Sequence, residues 1–309
     1  MQKKILVVLG GTSRERNVSL NSGRACIKSL LRLGYKVKTF DPAKQFFNQI
    51  NNKKFDVIFN ALHGKNGEDG TAQSYFEYLK IPYTHSGVIS SMNAMDKSIS
   101  KEIFNKNNIL TPDYFILNLS NKNTKIDINK LINKKKLNYP IVVKPINEGS
   151  SIGVNICKNL KSVKTAIKIL AKTYDNLMFE NFICGQEVQV AVMKGKALGA
   201  IELKPRRKFY DYKAKYSKTA KTIHIMPANL KKNKYKEVLK ISEKAHKALN
   251  CKGVTRSDFK FYKNRFYILE VNTQPGMTNL SLVPEIAKYK KISFDSLVKN
   301  IVLDASINR

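Results

Sequence analysis

Residues 254–262 read V-T-R-S-D-F-K-F-Y, residues 263–265 read K-N-R, and residues 266–273 read F-Y-I-L-E-V-N-T. Both outer runs are rich in Val, Ile, Phe and Tyr, and the polar break between them predicts a β-hairpin. A turn centred on Asn264 sets Asp258 opposite Glu270 and Arg256 opposite Asn272. Alternation puts Asp258 and Arg256 on one face of their strand, and Glu270 and Asn272 on one face of theirs. Like charges opposed across an antiparallel pair are destabilising, and a divalent ion between them reverses the sign. Two carboxylates and an amide suit magnesium, held jointly with phosphate oxygens, better than zinc. The competing reading is a surface hairpin with solvated acids.

The rest of the chain has room for such a site. Its 309 residues suffice for two or three domains, and 42% hydrophobic content is ordinary for a globular protein. No run of eighteen apolar residues exists, so nothing is expected to span a membrane. The opening M-Q-K-K-I-L-V-V-L-G-G runs briefly apolar into a glycine turn, which fits a first strand and not a signal peptide. Cys26, Cys157, Cys184 and Cys251 are scattered without C-x-x-C spacing. They read as reduced core residues of a cytoplasmic protein and support neither zinc nor a disulfide framework. The formal charge of +33 would suit a nucleic-acid binder, but the lysines are dispersed from Lys3 to Lys299 instead of clustered with aromatics. No specific nucleic-acid partner is expected, although the excess charge should draw anionic substrates.

Strands are predicted at 4–9, 36–40, 55–61 and 81–84, with helices from Ser19 (as N-cap) to Leu33 and over 71–80. Alternation of the two makes a parallel α/β unit, the first domain, over 1–96. A helix over 97–106 opens the second, 97–183, with strands at 140–145, 152–157 and 177–182 and a helix over 160–174. The third, 184–309, carries strands at 187–193 and 197–203, a long polar segment at 205–220 that suits a lid, a helix over 231–249, the hairpin, and a helix over 294–303. Segments 119–136 and 228–237 are rich in Lys and Asn and read as exposed.

Lys144 ends an apolar strand, and N-E-G-S-S-I-G follows at once. Gly149 and Gly153 allow a tight loop whose N–H groups face an anion, and Ser150 and Ser151 add hydroxyl donors. Glu180 and Glu187 flank the passage between domains, where they would take an adenine amino group and ribose hydroxyls; the alternative is plain solvated acid. Lys215 and Tyr216, in K-F-Y-D-Y-K-A-K-Y, would bring a cation and a hydroxyl over a substrate. Residues 10–19 and 61–70 each follow a strand at its C-terminal end, where open α/β sheets bind ligands. Glu15 there would pair with an ammonium, with His63 in hydrogen-bonding range. His85, His224 and His246 read as surface or packing residues.

Taken together, L-G-G-T-S-R-E-R-N-V-S, A-L-H-G-K-N-G-E-D-G, M-D-K, V-V-K-P-I-N-E-G-S-S-I-G-V, F-Y-D-Y-K-A-K-Y, R-S-D-F, E-V-N-T-Q-P-G-M-T and S-L-V-P resemble the D-alanine–D-alanine ligases of the ATP-grasp superfamily, in family order from residue 9 to 284. The resemblance implies a three-domain ATP-grasp architecture with an N-terminal parallel α/β domain and ATP clamped between the second and third domains. It implies phosphorylation of one D-alanine carboxylate, attack by the amine of a second, and release of the dipeptide used in peptidoglycan synthesis.

Carried over residue by residue, Lys97, Lys144 and Ser151 bind ATP phosphates, Glu180 and Glu187 the adenosine part, and Asp258, Glu270 and Asn272 Mg2+, with Mn2+ as a substitute. Glu15 orients the first D-alanine ammonium beside His63, Ser150 and Tyr216 complete its hydrogen-bonded set, and Lys215 approaches the transferred phosphoryl group. Arg256 and the Gly276 N–H stabilise the oxyanion, while Ser281 and the backbone at Leu282 receive the second D-alanine's carboxylate. A homodimer is common in the family. Lys213, His85 and Asn17 depart from its usual residues. The rival readings are another ATP-grasp ligase, a D-lactate-using relative, a nucleic-acid binder, or an ATP-binding regulator without catalysis. Asp258, Glu270, Asn272, Lys215 and Arg256 together argue against the last.

Overall fold

A computed structural model describes residues 2–120, 127–205, 222–278 and 280–309. The apolar run K-I-L-V-V forms β1 (Lys4–Val8), buried from Ile5 onward, and takes the centre of a parallel sheet. β2 (Lys36–Phe40) and β3 (Val57–Asn60) flank it, and α1 (Arg16–Arg32) makes the crossover between β1 and β2. α2 (Thr71–Tyr78) and α3 (Val88–Met95) follow. The strand expected at 81–84 reduces to two isolated bridges at Tyr83, parallel to Ile58 and antiparallel to Ser306.

Ser19 does not cap α1. The helix starts at Arg16, and Ser19 is buried on its first turns, donating to the Ala61 carbonyl at 2.7 Å and accepting from the Gly10 N–H at 2.7 Å. It thereby ties the loop after β1 to the loop after β3. Arg16 holds Asp41, at the end of β2, through two hydrogen bonds of 2.7 and 3.0 Å. The Arg16 guanidinium keeps the Asp41 carboxyl down at about 2. Because the folded-state value is depressed, this contribution is complete above the ordinary carboxylate range and is lost as pH falls through about 2. Asp41→Asn should therefore cost about 1–2 kcal/mol at pH 7, discounted for partial exposure. Thermal melts of the two proteins should converge as pH approaches 2; a constant gap would show that charge is not what Asp41 supplies.

The middle of the chain begins with α4 (Lys97–Lys106) and forms an antiparallel sheet in the order β4 (Tyr114–Asn118), β7 (Asn176–Asn181), β5 (Ile141–Pro145), β6 (Asn155–Cys157). One face packs Ile141, Val143, Leu177 and Phe179 against α5 (Ile128–Lys134) and α6 (Leu160–Leu170). The helix α5 lies inside the stretch expected to be exposed: its lysines are exposed, but Ile128 and Ile132, four apart, are buried. α6 stops at Leu170, short of the expected Tyr174.

The last part is a five-stranded antiparallel sheet in the order β10 (Ile223–Ile225), β9 (Lys196–Lys204), β8 (Gln186–Met193), β11 (Val254–Tyr262), β12 (Arg265–Asn272). α7 (Lys232–Ala248), α8 (Leu282–Tyr289) and α9 (Phe294–Leu303) complete it. α8 and α9 return to the first sheet: Leu282, Ile286, Leu297 and Ile301 share one core with Ile5, Val7, Cys26 and Leu30. Asp295 seals the contact by accepting from Ser29 and Arg32.

The hairpin pairs Arg256 with Asn272 and Asp258 with Glu270, as the sequence implies, but by another route. Arg265 belongs to β12, and the turn is only Lys263-Asn264, both at positive φ (45° and 64°), as tight hairpins require. A two-residue turn alone would shift the pairing by one. Between Phe259–Ile268 and Asp258–Glu270 the register slips, so Leu269 is an extra residue on β12. Such a bulge restores the carboxylate pairing and re-aims the side chains around it.

Candidate active site

Glu15 stands at the start of α1 and is buried. The positive end of that helix favours its ionised form. Its closest neighbours explain two glycines: a Cβ on Gly64 or on Gly149 would lie 2.8 or 2.7 Å from Glu15 Oε2. Ser150 Oγ donates to Glu15 Oε1 across 135 residues of chain. Ser150 and Ser151 both sit at positive φ, 50° and 61°, which non-glycine residues adopt at a cost of about 1 kcal/mol or more each. The strained turn puts Ser150 against Glu15.

Arg256, Glu270, Asn272 and Thr273 from the hairpin line the same cavity as Glu15, Gly149 and Ser150, together with Lys97 and Glu148. A second cavity, about 90 Å³, lies between the two antiparallel sheets. From one sheet come Val142, Lys144 and Glu180; from the other, Glu187, Asp258, Lys260, Leu269 and Glu270. The stretch Asn181–Ile183 closes its end and Ser151 its rim. Lys97, Glu148 and Glu270 line both cavities. The two compartments therefore meet at Lys97, whose Nζ lies 3.4 Å from Glu270 Oε2 and 2.6 Å from the Glu148 carbonyl.

The acids here are not solvated. Arg256 donates to both oxygens of Asp258, Nε to Oδ1 at 2.7 Å and Nη2 to Oδ2 at 3.0 Å. Glu187 takes Lys260 at 2.9 Å. Glu180 receives Lys144 at 2.5 Å on one oxygen and Lys101 at 2.9 Å on the other. Burial alone would push the Glu180 carboxyl up; the two ammonium groups outweigh it and hold it at about 2. Asp258 and Glu270, expected to repel, are thus each matched to a cation. The donor set nonetheless fits a hard cation: Asp258, Glu270 and Asn272 can offer carboxylate and amide oxygens from opposed or alternate positions of one hairpin, and Lys97 and Lys144 line the same cavity as Asp258 and Glu270. Asn272 Oδ1 also accepts from the Gln274 N–H at 2.8 Å, which fixes its amide.

His63 is placed differently from Glu15. It is buried with its Nε2 3.3 Å from Ser22 Oγ and does not line the Glu15 cavity. Burial, with Arg256 nearby, lowers it to about 4, so the ring is neutral at pH 7. Ser281 precedes α8, with its Oγ accepting from the Thr278 N–H at 2.9 Å. A Cβ on Gly276 would stand 2.9 Å from that Oγ, so glycine is what lets the loop approach the helix start. Neither Gly276, Ser281 nor Leu282 lines the cavity described. Lys213, Lys215 and Tyr216, with the rest of 206–221, lie outside the described residues. His85 is buried at φ 70°, its ring edge-on to Phe59, a backbone setting that explains why glycine suits the position.

Three residues of the site escaped the sequence reading. Glu68 lines the Glu15 cavity and accepts from the Gly64 N–H at 2.7 Å; burial, with Glu15 close by, raises it to about 8. Its signal was the E-D-G that ends the second glycine-rich stretch. Gln274 joins that stretch to the hairpin, accepting from Asn60 at 2.9 Å and donating to the Leu62 carbonyl. Glu148 accepts from Tyr174 at 2.9 Å, whose hydroxyl also accepts from Arg14 at 3.2 Å.

Two family models match the chain: D-ala D-ala ligase N-terminus over residues 36–86 and D-ala D-ala ligase C-terminus over residues 103–303. A D-alanine–D-alanine ligase of Pelagibacter ubique is 57% identical over 309 residues, covering 100% of both chains. One of Rickettsia typhi is 42% identical, covering 99% of this chain and 92% of its own. The crystal structure of a D-alanine–D-alanine ligase from Bacillus anthracis superposes with a TM-score of 0.86 at 34% identity, covering 98% and 97%. A crystal structure of a D-alanine–D-alanine ligase from Bacillus anthracis complexed with ATP gives 0.82 at 30% identity with the same coverage.

Proposed function

Because the chain belongs to the D-alanine–D-alanine ligase family, we propose how its own residues divide the work of joining two D-alanines at the expense of ATP. The protein is an ADP-forming ligase whose dipeptide product feeds cell-wall precursor synthesis. The observation that carries the division is the meeting of the two cavities at Lys97, Glu148 and Glu270. A nucleotide in the larger one ends its phosphate chain where a carboxylate bound beside Glu15 can reach it.

In this reading Glu187 and the Glu180 wall hold the adenosine part, and Lys97, Lys144, Ser151 and the strained loop hold the phosphates. Asp258, Glu270 and Asn272 hold Mg2+, which when bound neutralises phosphate charge and aligns the transferred group. Glu15, kept in place by Ser150 and its two glycines, fixes the first D-alanine by its ammonium, with neutral His63 behind it. Phosphoryl transfer to that substrate's carboxylate gives an acyl phosphate and ADP; it needs alignment and charge neutralisation, not a protein nucleophile. The second D-alanine, its carboxylate received by Ser281 and the Leu282 backbone, attacks as the free amine. Arg256 and the Gly276 N–H take the oxyanion, and phosphate leaves. Lys215 and Tyr216 close the site in segment 205–220, excluding water from the acyl phosphate. The three-part division 1–96, 97–183 and 184–309, a cytoplasmic location and a homodimer belong to the same proposal; no helix among the described residues is long and apolar enough to cross a membrane.

ATP-dependent phosphate release, screened over D-amino and D-hydroxy acids with products separated by mass, tests it. D-Alanine should give D-alanyl-D-alanine, and D-lactate negligible ester near neutral pH. Tyr216→Phe should admit some ester, mainly at lower pH where the competing amine is more fully protonated. Predominant D-alanyl-D-lactate from the parent protein at pH 7, or release with another acid–amine pair alone, would replace this reading.

A further inference from the structure

Lys101 lies one turn along α4 from Lys97 but points away from solvent, with a side chain that has no exposed surface. Its ammonium donates to Thr111 Oγ1 at 2.7 Å and to the Pro112 carbonyl at 3.3 Å, and pairs with Glu180 Oε2 at 2.9 Å. The Tyr114 ring covers it, 5.1 Å to the centroid. Two hydrogen bonds and one ion pair thus hold the ammonium.

Glu180 lines one wall of the larger cavity, and Thr111 connects to β12, the strand that carries Leu269 and Glu270 of the opposite wall. Glu180 is on β7 and shares its carboxylate with Lys144 of β5. Thr111 passes the contact the other way: its hydroxyl donates to the Ile268 carbonyl at 2.9 Å, and the Ile268 N–H donates to the Leu110 carbonyl at 2.9 Å. Ile268 is the residue of β12 just before the bulged Leu269, and two before Glu270. One continuous path, Lys144–Glu180–Lys101–Thr111–Ile268, therefore runs from the phosphate-side lysine to the strand that carries the carboxylates.

Stability does not account for such an arrangement. Desolvating a buried ion triad costs several kcal/mol, and apolar replacements of similar volume are often neutral or stabilising. Burial pulls the Lys101 ammonium down to about 8. What the triad supplies is geometry, because an ammonium held by two hydrogen bonds and an ion pair in a buried site has little freedom to move.

We propose that Lys101 is a positioning residue for the nucleotide: it fixes the Glu180 carboxylate and, through Thr111, the bulged edge of β12, so that the two walls of the cleft keep their spacing. The inference rests on reading this cleft as the ATP site. Binding of ATP and ADP to the parent protein, followed by calorimetry, tests that premise separately: no nucleotide binding by the parent would remove the premise and the inference with it.

Given binding, Lys101→Met should raise KM for ATP about tenfold or more while KM for the first D-alanine stays within about twofold. Lys101→Arg, charged but differently shaped, should recover little of the loss. Thr111→Val cuts the path to Ile268 and leaves the Glu180 pair in place; it should raise KM for ATP about threefold while KM for the first D-alanine stays within about twofold, with a melting temperature lowered by the stranded ammonium N–H and Ile268 carbonyl. Equal increases in both KM values, with a lowered melting temperature, would mark Lys101 as structural only and overturn the proposal. Parental KM for ATP in Thr111→Val would overturn the part played by the β12 edge, and it decides the matter if Lys101→Met fails to fold.

Discussion

Glu270→Gln is expected to remove turnover by about 10³-fold or more while leaving the fold intact. Glutamine keeps the volume and one carbonyl acceptor, so the hairpin register and the bulge at Leu269 have no reason to change. What it loses is the charge shared between the two cavities. Lys97, 3.4 Å away, would then face the phosphates without its counter-charge, and Mg2+ would lose one of two carboxylates. Thermal stability should hardly move. Loss of the Lys97 attraction is offset by relief of the repulsion from Asp258 directly across the hairpin. Both terms are small at a partly exposed position, so a change beyond about 2 °C is not expected. Mn2+ binding in the presence of nucleotide, followed by EPR, should weaken in parallel with kcat. Near-parental turnover would take Glu270 out of the metal site, and lost turnover with parental Mn2+ affinity would assign it to Lys97 instead.

Arg256→Met should behave in the opposite way, losing both activity and stability. Two of its N–H groups are committed to Asp258, and the same side chain lines the Glu15 cavity. Removing one oxyanion donor typically costs about 10²–10³ in kcat. Stripping the partner from a buried carboxylate costs about 3–5 kcal/mol. Saturating Mg2+ and ADP should restore part of the melting temperature, because the metal supplies the cation that Asp258 has lost. Arg256→Lys should regain stability but not kcat, since an ammonium neutralises Asp258 without the fork. A variant Arg256→Met whose kcat stays within threefold of the parent would remove the oxyanion role.

The contrast between these variants shows where sequence reasoning reaches and where it stops. Alternation and turn chemistry were enough to pair Asp258 with Glu270, because register is a short-range property. They missed that a shorter turn and a bulge produce the same pairing, since Leu269 is indistinguishable in sequence from any strand residue. Glycines at 64 and 149 suggested loops; that both make room for the one carboxylate of Glu15 depends on contacts across 49 and 134 residues. Local composition misled at 119–136, where lysines hid the two buried isoleucines of α5, and at Ser19, whose cap chemistry is spent on two loops. Lys101 gave no signal, because a lysine on a helix reads as solvated until its partners at 111, 112 and 180 are known. Lys215 and Tyr216 fall in 206–221, outside the described residues, and their part in closure stays a proposal.

The core shared by β1, α1, α8 and α9 orders events during synthesis. Ile5, Val7, Cys26 and Leu30 are made early, yet the side chains that cover them, Leu282, Ile286, Leu297 and Ile301, leave the ribosome some 250 residues later. The first sheet must therefore wait with one apolar face uncovered while both grasp sheets are translated, and closing so long a loop is slow. That interval is when a nascent chain is open to chaperones and to its neighbours.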